Sequence, residues 1–108
     1  MKGMPNLGKL MKQAQEMQSK MAEVQEELGQ IRAEGQSGGG AVKAVTNGHH
    51  ELLEIQIDPE VVDPEDVEML QDLIIAAVRS ARQEAEAVQK SAMGRVTGGM
   101  SLPGGLGL

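Results

Sequence analysis

The sequence predicts an α+β fold in which a helix lies at each end of a small domain and antiparallel strands lie between them. A heptad repeat of apolar residues runs through the first third of the chain. An Asn-Gly pair separates two short apolar runs near the middle, and a second helical stripe follows. The chain has 108 residues, which is the length of one domain. We assign residues 1–93 to a single α+β domain and residues 94–108 to a glycine-rich C-terminal tail.

The first helix is predicted over residues 6–34. Apolar residues recur there at alternating spacings of three and four, a pattern typical of a helix that packs along a neighbouring helix. Asn6 is a suitable N-cap and Gly35 a suitable end. We expect the methionines of the repeat to serve core or subunit packing rather than an adaptable binding face. The repeat comprises Leu7, Leu10, Ala14, Met17, Met21, Val24, Leu28 and Ile31.

Strands are predicted between about residues 35 and 58. Asn47-Gly48 lies between two apolar runs, which is a strong signal for a β-hairpin. A two-stranded hairpin is only marginally stable, so a third strand or a covering helix is needed. Residues 35–40 are rich in glycine and form either a flexible link or a short edge strand. The run after the turn is apolar at every second position, which predicts one buried face: Leu53, Ile55 and Ile57.

The second helix is predicted over residues 64–93. Asp63 serves as its N-cap, Pro64 takes the first helical position, and acidic residues occupy the first turn. The apolar stripe that follows becomes rich in alanine, which suits close packing against another helix. The stripe comprises Val67, Leu70, Ile74, Ala77, Ala81, Ala85, Val88 and Ala92, and it is widened by Leu73, Ile75 and Val78.

The composition excludes several classes of protein. The chain has no cysteine, so it forms no disulfide, thiolate zinc site or cysteine nucleophile. It has no Phe, Trp or Tyr, so it cannot stack nucleic-acid bases on aromatic rings. It lacks a run of about 18 apolar residues, so no membrane-spanning helix and no membrane partner are predicted. Because the core is built only from aliphatic residues and methionine, we expect a partner subunit to supply buried area.

Catalytic, cofactor and metal sites are not predicted, and the protein is predicted not to be an enzyme. The serines lack the context of a nucleophile elbow. Two adjacent histidines on a strand point to opposite faces, so His49 and His50 are expected to be exposed turn residues rather than metal ligands. The acidic run from Glu51 to Asp72 lacks the spacing of a calcium loop, and helix-start preferences and solvated strand positions account for it.

The basic residues form the one constellation that suggests a ligand. The net charge is −6, but residues 51–72 hold nine acids and no base, whereas residues 1–12 hold three lysines and no acid. Basic side chains share a sector on each helix, and a two-fold dimer doubles both patches. DNA bound there would be held mainly by phosphate contacts. The alternative is that they are ordinary solvated faces. The candidates are Lys9, Lys12, Lys20, Arg79, Arg82, Lys90 and Arg95.

Several blocks of the sequence resemble the YbaB/EbfC family of bacterial nucleoid-associated proteins. These blocks are LMKQAQEMQ (10–18), EIQIDPEVV (54–62), DPEDVEMLQDLIIAAV (63–78) and MGRVTGGMSLPG (93–104), with the triple glycine and Asn-Gly between them. The resemblance implies an α-β-β-β-α subunit with a three-stranded antiparallel sheet and two long helices. It also implies a tweezer-like homodimer that binds double-stranded DNA in the nucleoid, within the cytoplasm, and influences nucleoid organisation and gene expression without catalysis. The family's DNA contacts, in the basic parts of the first and last helices, fall on the seven candidates above.

A dimeric protein-interaction adaptor is the alternative hypothesis. In it, the heptad helix and the Gly/Leu tail recruit a protein partner of the replication or repair machinery. The two hypotheses differ in the partner: DNA binding weakens as salt is added, whereas a stoichiometric protein partner is insensitive to nuclease.

Overall fold

The computed structural model describes residues 7–97 and confirms the predicted α-β-β-β-α order. The strands form one antiparallel sheet in the order β1-β2-β3. Short 3-10 turns lie at Gly38–Gly40 and Pro59–Val61. The principal elements are α1 (Leu7–Gln30), β1 (Ala33–Ser37), β2 (Val42–Thr46), β3 (Leu52–Ile57) and α2 (Val67–Thr97).

Helix α2 covers one face of the sheet. Val42 and Ala44 on the central strand are fully buried against Ala77 and Ala81 of α2. Strand β3 places Ile57 opposite Val42 and Ile55 opposite Ala44, and both isoleucines pack on the same cluster. The predicted alternation therefore holds for these two residues. Leu53 departs from it, because the register shifts at Val45/Thr46 and Leu53 remains 48% exposed.

The first edge strand lies unusually close to α2. A Cβ atom added at Gly35 would lie 2.2 Å from the Ala81 backbone nitrogen and 2.7 Å from the Ala77 carbonyl oxygen. Gly35 is therefore a site of close backbone approach and not a helix end. The three glycines that follow all have positive φ, from 60° to 98°, a conformation that glycine adopts without strain. The glycine-rich segment is thus an edge strand followed by a tight turn.

Helix α1 ends at Gln30, four residues before the predicted boundary. The chain turns there because Ala33 is already paired with Thr46 in the sheet and is buried. The Leu28 carbonyl oxygen, freed at the helix end, accepts a hydrogen bond of 2.7 Å from the Gly48 backbone nitrogen. The predicted cap, Asn6, lies outside the described residues.

Helix α2 is shifted by three to four residues at both ends relative to the prediction. It begins at Val67, because Asp63 accepts a hydrogen bond from the Glu65 backbone in a turn, while Asp66 accepts one from Met69 at 3.2 Å and caps the helix. The helix continues through Gly94 to Thr97. The predicted tail is therefore helical over its first residues, and residues 98–108 lie outside the described residues.

The C-terminal halves of the two helices pack together and run in opposite directions. Along α2, Leu73 contacts Ser37, Ser80 and Ala81 lie against Gly35, and Arg95 reaches Glu27. Helix α2 therefore extends beyond the sheet at the end where α1 connects to β1. The second apolar cluster forms there, and it comprises Val24, Leu28, Ala92 and Val96 with Met21, Ile31, Val88 and Met93 around them. Residues 7–20 of α1 extend beyond this contact as an arm about 20 Å long, at about 1.5 Å per residue.

The Asn-Gly turn lies at the predicted position but has three loop residues instead of two. Asn47 and Glu51 close the loop through a backbone hydrogen bond of 3.0 Å, and His50 takes the left-handed conformation at φ 69°. Gly48 does not have positive φ. It is required because a Cβ atom there would lie 2.8 Å from the Leu28 carbonyl oxygen. The turn is thus shaped by its contact with α1.

Gly35→Ala and Gly94→Ala are a matched pair that tests the close approach of α2 to the sheet. We expect Gly35→Ala to lower the free energy of unfolding by about 3 kcal/mol, because the added methyl group meets backbone atoms. A Cβ atom at Gly94 meets no atom within 4 Å. We therefore expect Gly94→Ala to raise the free energy of unfolding by about 1 kcal/mol through helix propensity. Urea denaturation followed by circular dichroism, at one protein concentration, measures both; equal effects would contradict the packing described here.

Candidate nucleic-acid interface

Three of the candidate cations lie on the arm formed by residues 7–20 of α1. Lys9, Lys12 and Lys20 are all exposed. On the helical projection they centre about 110° away from the apolar repeat, so they flank the apolar seam of α1. The arm therefore carries a cationic side and an apolar side.

Two further candidates flank a groove on the exposed side of α2. Arg79 and Arg82 lie beside a groove of about 490 Å³ whose apolar lining comes from Ile74, Ile75 and Val78. Arg79 and Arg82 are exposed, and Ile75 is 53% exposed. The lining also includes the Glu86 carboxylate, so the groove combines an apolar floor with charged groups of both signs, whose long side chains keep their charges in water.

The last two candidates lie where α2 packs on α1, and they differ in their charge environment. Lys90 is exposed. Arg95 donates to the Glu27 carboxylate at 3.1 Å, with both side chains more than half exposed. Such a pair contributes little to stability because water screens it. It nevertheless weakens the attraction that this position offers to a phosphate, so Arg95 is the weakest candidate of the seven.

The other six candidates form no ion pair in residues 7–97, although Glu16 lies four residues from Lys12 and Lys20, and Glu86 lies four residues from Arg82 and Lys90. Within residues 7–97, ion pairs form between Arg95 and Glu27 and between Arg32 and Glu54, and none involves the remaining candidates. Two cations of the described chain lie outside the predicted set. Arg32 is held by its 2.8 Å pair with Glu54, and Lys43 lies exposed on the sheet face opposite α2. Strand alternation alone places Lys43 on that face.

One protomer does not bring the six unpaired cations to one place. Arg79 lies on the part of α2 that covers the sheet, whereas Lys9 and Lys12 lie on the arm beyond the end of α2. Eighteen residues of helix separate Arg79 from Thr97, which is about 27 Å. The cations therefore form one group on the arm and one group at the groove, and Lys90 lies between the two.

The acidic residues are concentrated at the opposite end of the molecule from the arm. They follow β3 and begin α2, and several serve as local caps: the Asp58 carboxylate accepts from the Glu60 backbone at 2.9 Å, as Asp63 and Asp66 do for later residues. In the part of the chain that the structure describes, no group of three or more His, Asp or Glu residues is arranged to hold a metal ion. Several members of the acidic run thus act as caps, and Glu16 is the acidic residue within residues 7–20 of the arm.

The two histidines bridge the hairpin loop to both helices. His49 is exposed, and its Nε2 lies 2.9 Å from the Gln25 carbonyl oxygen, to which it donates. His50 is only partly exposed, and its Nε2 lies 3.2 Å from Gln89 Oε1. The expectation of two exposed turn residues is therefore wrong for His50, because its left-handed backbone turns the ring towards α2.

The comparison with known families shows the family to which the chain belongs. The model of the YbaB/EbfC DNA-binding family matches residues 3–100. The chain belongs to this family. It is 52% identical over 99 residues to a nucleoid-associated protein of Pelotomaculum thermopropionicum, covering 92% of this chain and 94% of that one. It is 50% identical over 104 residues to a nucleoid-associated protein of Bacillus thuringiensis, covering 96% and 95% of the two chains.

A solved structure shares the YbaB/EbfC subunit fold of this chain. The crystal structure of an uncharacterized protein from Helicobacter pylori superposes with a TM-score of 0.69 at 26% identity, over 85% of this chain and 94% of that one. Between residues 7 and 97, neither helix is both long and apolar enough to cross a membrane.

The Glu54 carboxyl provides a test of electrostatics on the open face of the sheet. A hydrogen bond from the Gln56 side chain, and then one from Arg32, hold the pKa of Glu54 below its ordinary value of 4.5. These contacts therefore stabilise the fold at pH above 4.5, and their contribution disappears as the pH falls through the lowered pKa. We expect Gln56→Leu to raise the pKa of Glu54 in a carboxyl NMR titration, and an unchanged value would contradict this cause.

Proposed function

We propose that the protein is a non-enzymatic, nucleoid-associated protein that binds double-stranded DNA as a homodimer, mainly through phosphate contacts. The observation that carries the proposal is the set of six exposed cations on α1 and α2 that form no ion pair in residues 7–97. The family to which the chain belongs is described as DNA-binding, and its relatives are named nucleoid-associated proteins. Both support DNA as the ligand of these cations and the nucleoid as the location.

Phosphate contacts suit the chemistry of these side chains. The chain has no aromatic residue with which to stack a base. Lysines and arginines on one side of an exposed helix reach the DNA backbone without entering a groove, and such contacts position a protein with little reading of sequence. A binder of this kind coats or links DNA over many sites, which provides a route to effects on nucleoid organisation and gene expression.

The acidic net charge does not oppose this proposal, because the acids are segregated. The net charge of −6 arises from the end of the molecule where β3 finishes and α2 begins. The arm lies more than a Debye length of about 8 Å from that end at physiological ionic strength, so salt screens the repulsion. The local charge of the arm therefore governs its encounter with DNA.

A second protomer would bury the apolar side chains that a single chain leaves exposed. Apolar side chains remain about half exposed on β3, on the segment after it and on the first half of α2: Leu52, Leu53, Val62, Val67 and Ile75. Ile75 also lines the groove that Arg79 and Arg82 flank. Exposed apolar side chains of this size are what a subunit interface buries. A two-fold contact through these residues buries them, places four arginines at its rim and extends two arms, as in the tweezer-like dimer expected from the sequence.

Charge reversal at Lys12 and Arg82 tests the DNA interface. We expect Lys12→Glu and Arg82→Glu each to lower affinity for duplex DNA about tenfold, which is ~1.4 kcal/mol. The slope of log affinity against log salt should fall by about 1 for each phosphate that the variant no longer neutralises. Gel shifts across a salt series measure both quantities.

Lys43→Glu is the matched control for these variants. It makes the same change in net charge at an exposed lysine that has no ion pair in residues 7–97 and lies on the sheet face away from α2. We expect less than a twofold reduction of affinity. If all three variants lost the same affinity for DNA, the loss would come from the change in net charge alone. Lys12 and Arg82 would then not belong to the DNA interface.

Ile75→Asp tests the proposed subunit contact. We expect this variant to sediment as a single chain, because a carboxylate in the apolar patch must lose its water when the second protomer docks. Ala87→Asp introduces the same charge at an exposed position about 120° around α2 and outside the groove, so it should remain a dimer. A dimeric Ile75→Asp protein would place the contact elsewhere.

A further inference from the structure

The apolar side of the α1 arm is uncovered in the part of the chain that the structure describes. The cluster that joins the two helices uses Val24 and Leu28 of α1. The heptad repeat continues from there towards the start of α1, but its residues become exposed: Leu10 is 58% exposed and Leu7 is 47% exposed. The arm thus carries a continuation of the helix-helix interface that nothing in residues 7–97 covers.

The period of the repeat indicates the shape of the missing cover. The spacings of three and four residues average 3.5, and a seam of that period follows a neighbouring helix along its whole length. Where α1 meets α2, the same seam already packs on a helix that runs in the opposite direction. The cover that fits the arm is therefore another antiparallel helix with a matching seam. The arm of a second copy of the chain is such a helix.

We propose that the arms of two copies pack on each other in antiparallel orientation through their apolar seams. A two-fold axis near the level of Lys12 places Leu10 of one arm opposite Ala14 of the other. The same axis places Leu7 opposite Met17, so the contact has four layers. Each Leu10 then meets a small side chain, which lets the two backbones approach closely. The proposal concerns the arms alone and rests neither on DNA binding nor on the groove contact.

The charge pattern of the arm favours a second copy as the partner. Over the proposed overlap, neutral residues stand beside the seam in the heptad, with Met11 and Gln18 on one side and Gln13 on the other. Lys9 and Lys12 take outer heptad positions, further round the helix. Two positively charged arms therefore pair without bringing these lysines together. An acidic partner helix would instead be matched by lysines directly beside the seam, as in coiled coils that pair through opposite charges.

Lys20 stands beside the seam, but at the outer end of the overlap. It follows Met17, the last residue of the proposed layers. In the antiparallel pair the two Lys20 residues lie about 24 Å apart along the helices, at about 1.5 Å per residue. This separation exceeds the Debye length of about 8 Å at physiological ionic strength, so salt screens their repulsion.

The size of the contact predicts weak association. Leu7, Leu10 and Met11 are each about half exposed, which leaves roughly 100 Å² of each side chain to bury. Two arms then bury on the order of 600 Å² of these side chains, whereas a stable complex buries about 1,200 Å² or more. The arms therefore pair at high protein concentration, and less tightly than the subunits that meet at the groove.

A charge placed in the seam tests this contact in solution. Leu10→Asp puts a carboxylate into the proposed overlap, where it must lose its water, and we expect it to lower the association constant of the arms about tenfold or more. Gln15→Asp is the matched control, because it adds the same charge at an exposed position about 120° from the seam. Sedimentation over a range of protein concentrations measures both variants, with circular dichroism to confirm that they are folded.

The expected result is additional mass at high concentration for the unaltered protein and for Gln15→Asp, with less for Leu10→Asp. No increase in mass with concentration in the unaltered protein, or equal association of both variants, would overturn the proposal. Leu10→Asp leaves the groove contact in place, so its outcome is independent of that of Ile75→Asp.

Disulfide trapping tests the antiparallel orientation in a chain that has no cysteine of its own. A protein that carries Leu10→Cys is mixed with one that carries Ala14→Cys, since the proposed layers place these positions opposite each other. The control mixture combines Gly8→Cys with Gln15→Cys. These two positions lie at similar levels of the paired arms but away from the seam, and a Cβ atom added at Gly8 meets nothing within 4 Å.

We expect the mixed disulfide of the test proteins to form about tenfold faster than that of the control proteins at the same concentration, because the seam contact raises the effective concentration of its cysteines. Non-reducing electrophoresis and peptide mass spectrometry measure the products. Faster joining of Leu10→Cys to itself than to Ala14→Cys would indicate another orientation, and equal rates in the two mixtures would indicate that the seams do not meet. Either result would overturn the proposal.

Discussion

The close approach of α2 to strand β1 is the constraint on which the rest of the structure depends. Without aromatic side chains to fill space, the core is closed by bringing backbones together, with Gly35 against Ala77 and Ala81. That contact holds α2 antiparallel to β1, and the length of α2 then carries its C-terminal half past the sheet. Helix α1 packs on this projecting half. The position of the arm therefore depends on the contact of Gly35 with Ala77 and Ala81, because that contact aligns α2 along the sheet.

Charge follows the same axis as the packing. The acids lie at the end where α2 begins, where they cap a 3-10 turn and the helix, and the lysines of α1 lie at the other end. Acidic side chains favour helix N-termini because the helix dipole is positive there. The acidic residues at the start of α2 and the lysines of the arm therefore lie at opposite ends of the molecule. A protein with a net charge of −6 can in this way present a positive surface to a polyanion.

Much of the fold could be predicted, and the exceptions have physical causes. Ile55 and Ile57 alternate as predicted because one face of β3 packs on α2 and the other is in water. Leu53 does not, because a local register shift is set by the partner strand. The predicted end of α1 lies too late in the chain, because Ala33 pairs with Thr46, a residue distant in sequence. Gly94 is typical of a helix end, yet Ala92 and Val96 on either side of it are buried against α1 and hold the helix together.

The sequence by itself determined the kinds of element, their order and the sides on which the cations and apolar residues lie on each helix, because helical and strand periodicities are local properties. Only the tertiary structure decided which cations form an ion pair between elements. Arg95 and Lys90 follow the same pattern in the sequence, but Arg95 meets Glu27 across the helix pair. The separation of the cations into an arm group and a groove group also depends on how far α2 extends beyond the sheet. Both outcomes arise from contacts between residues far apart in the chain, which periodicity does not encode.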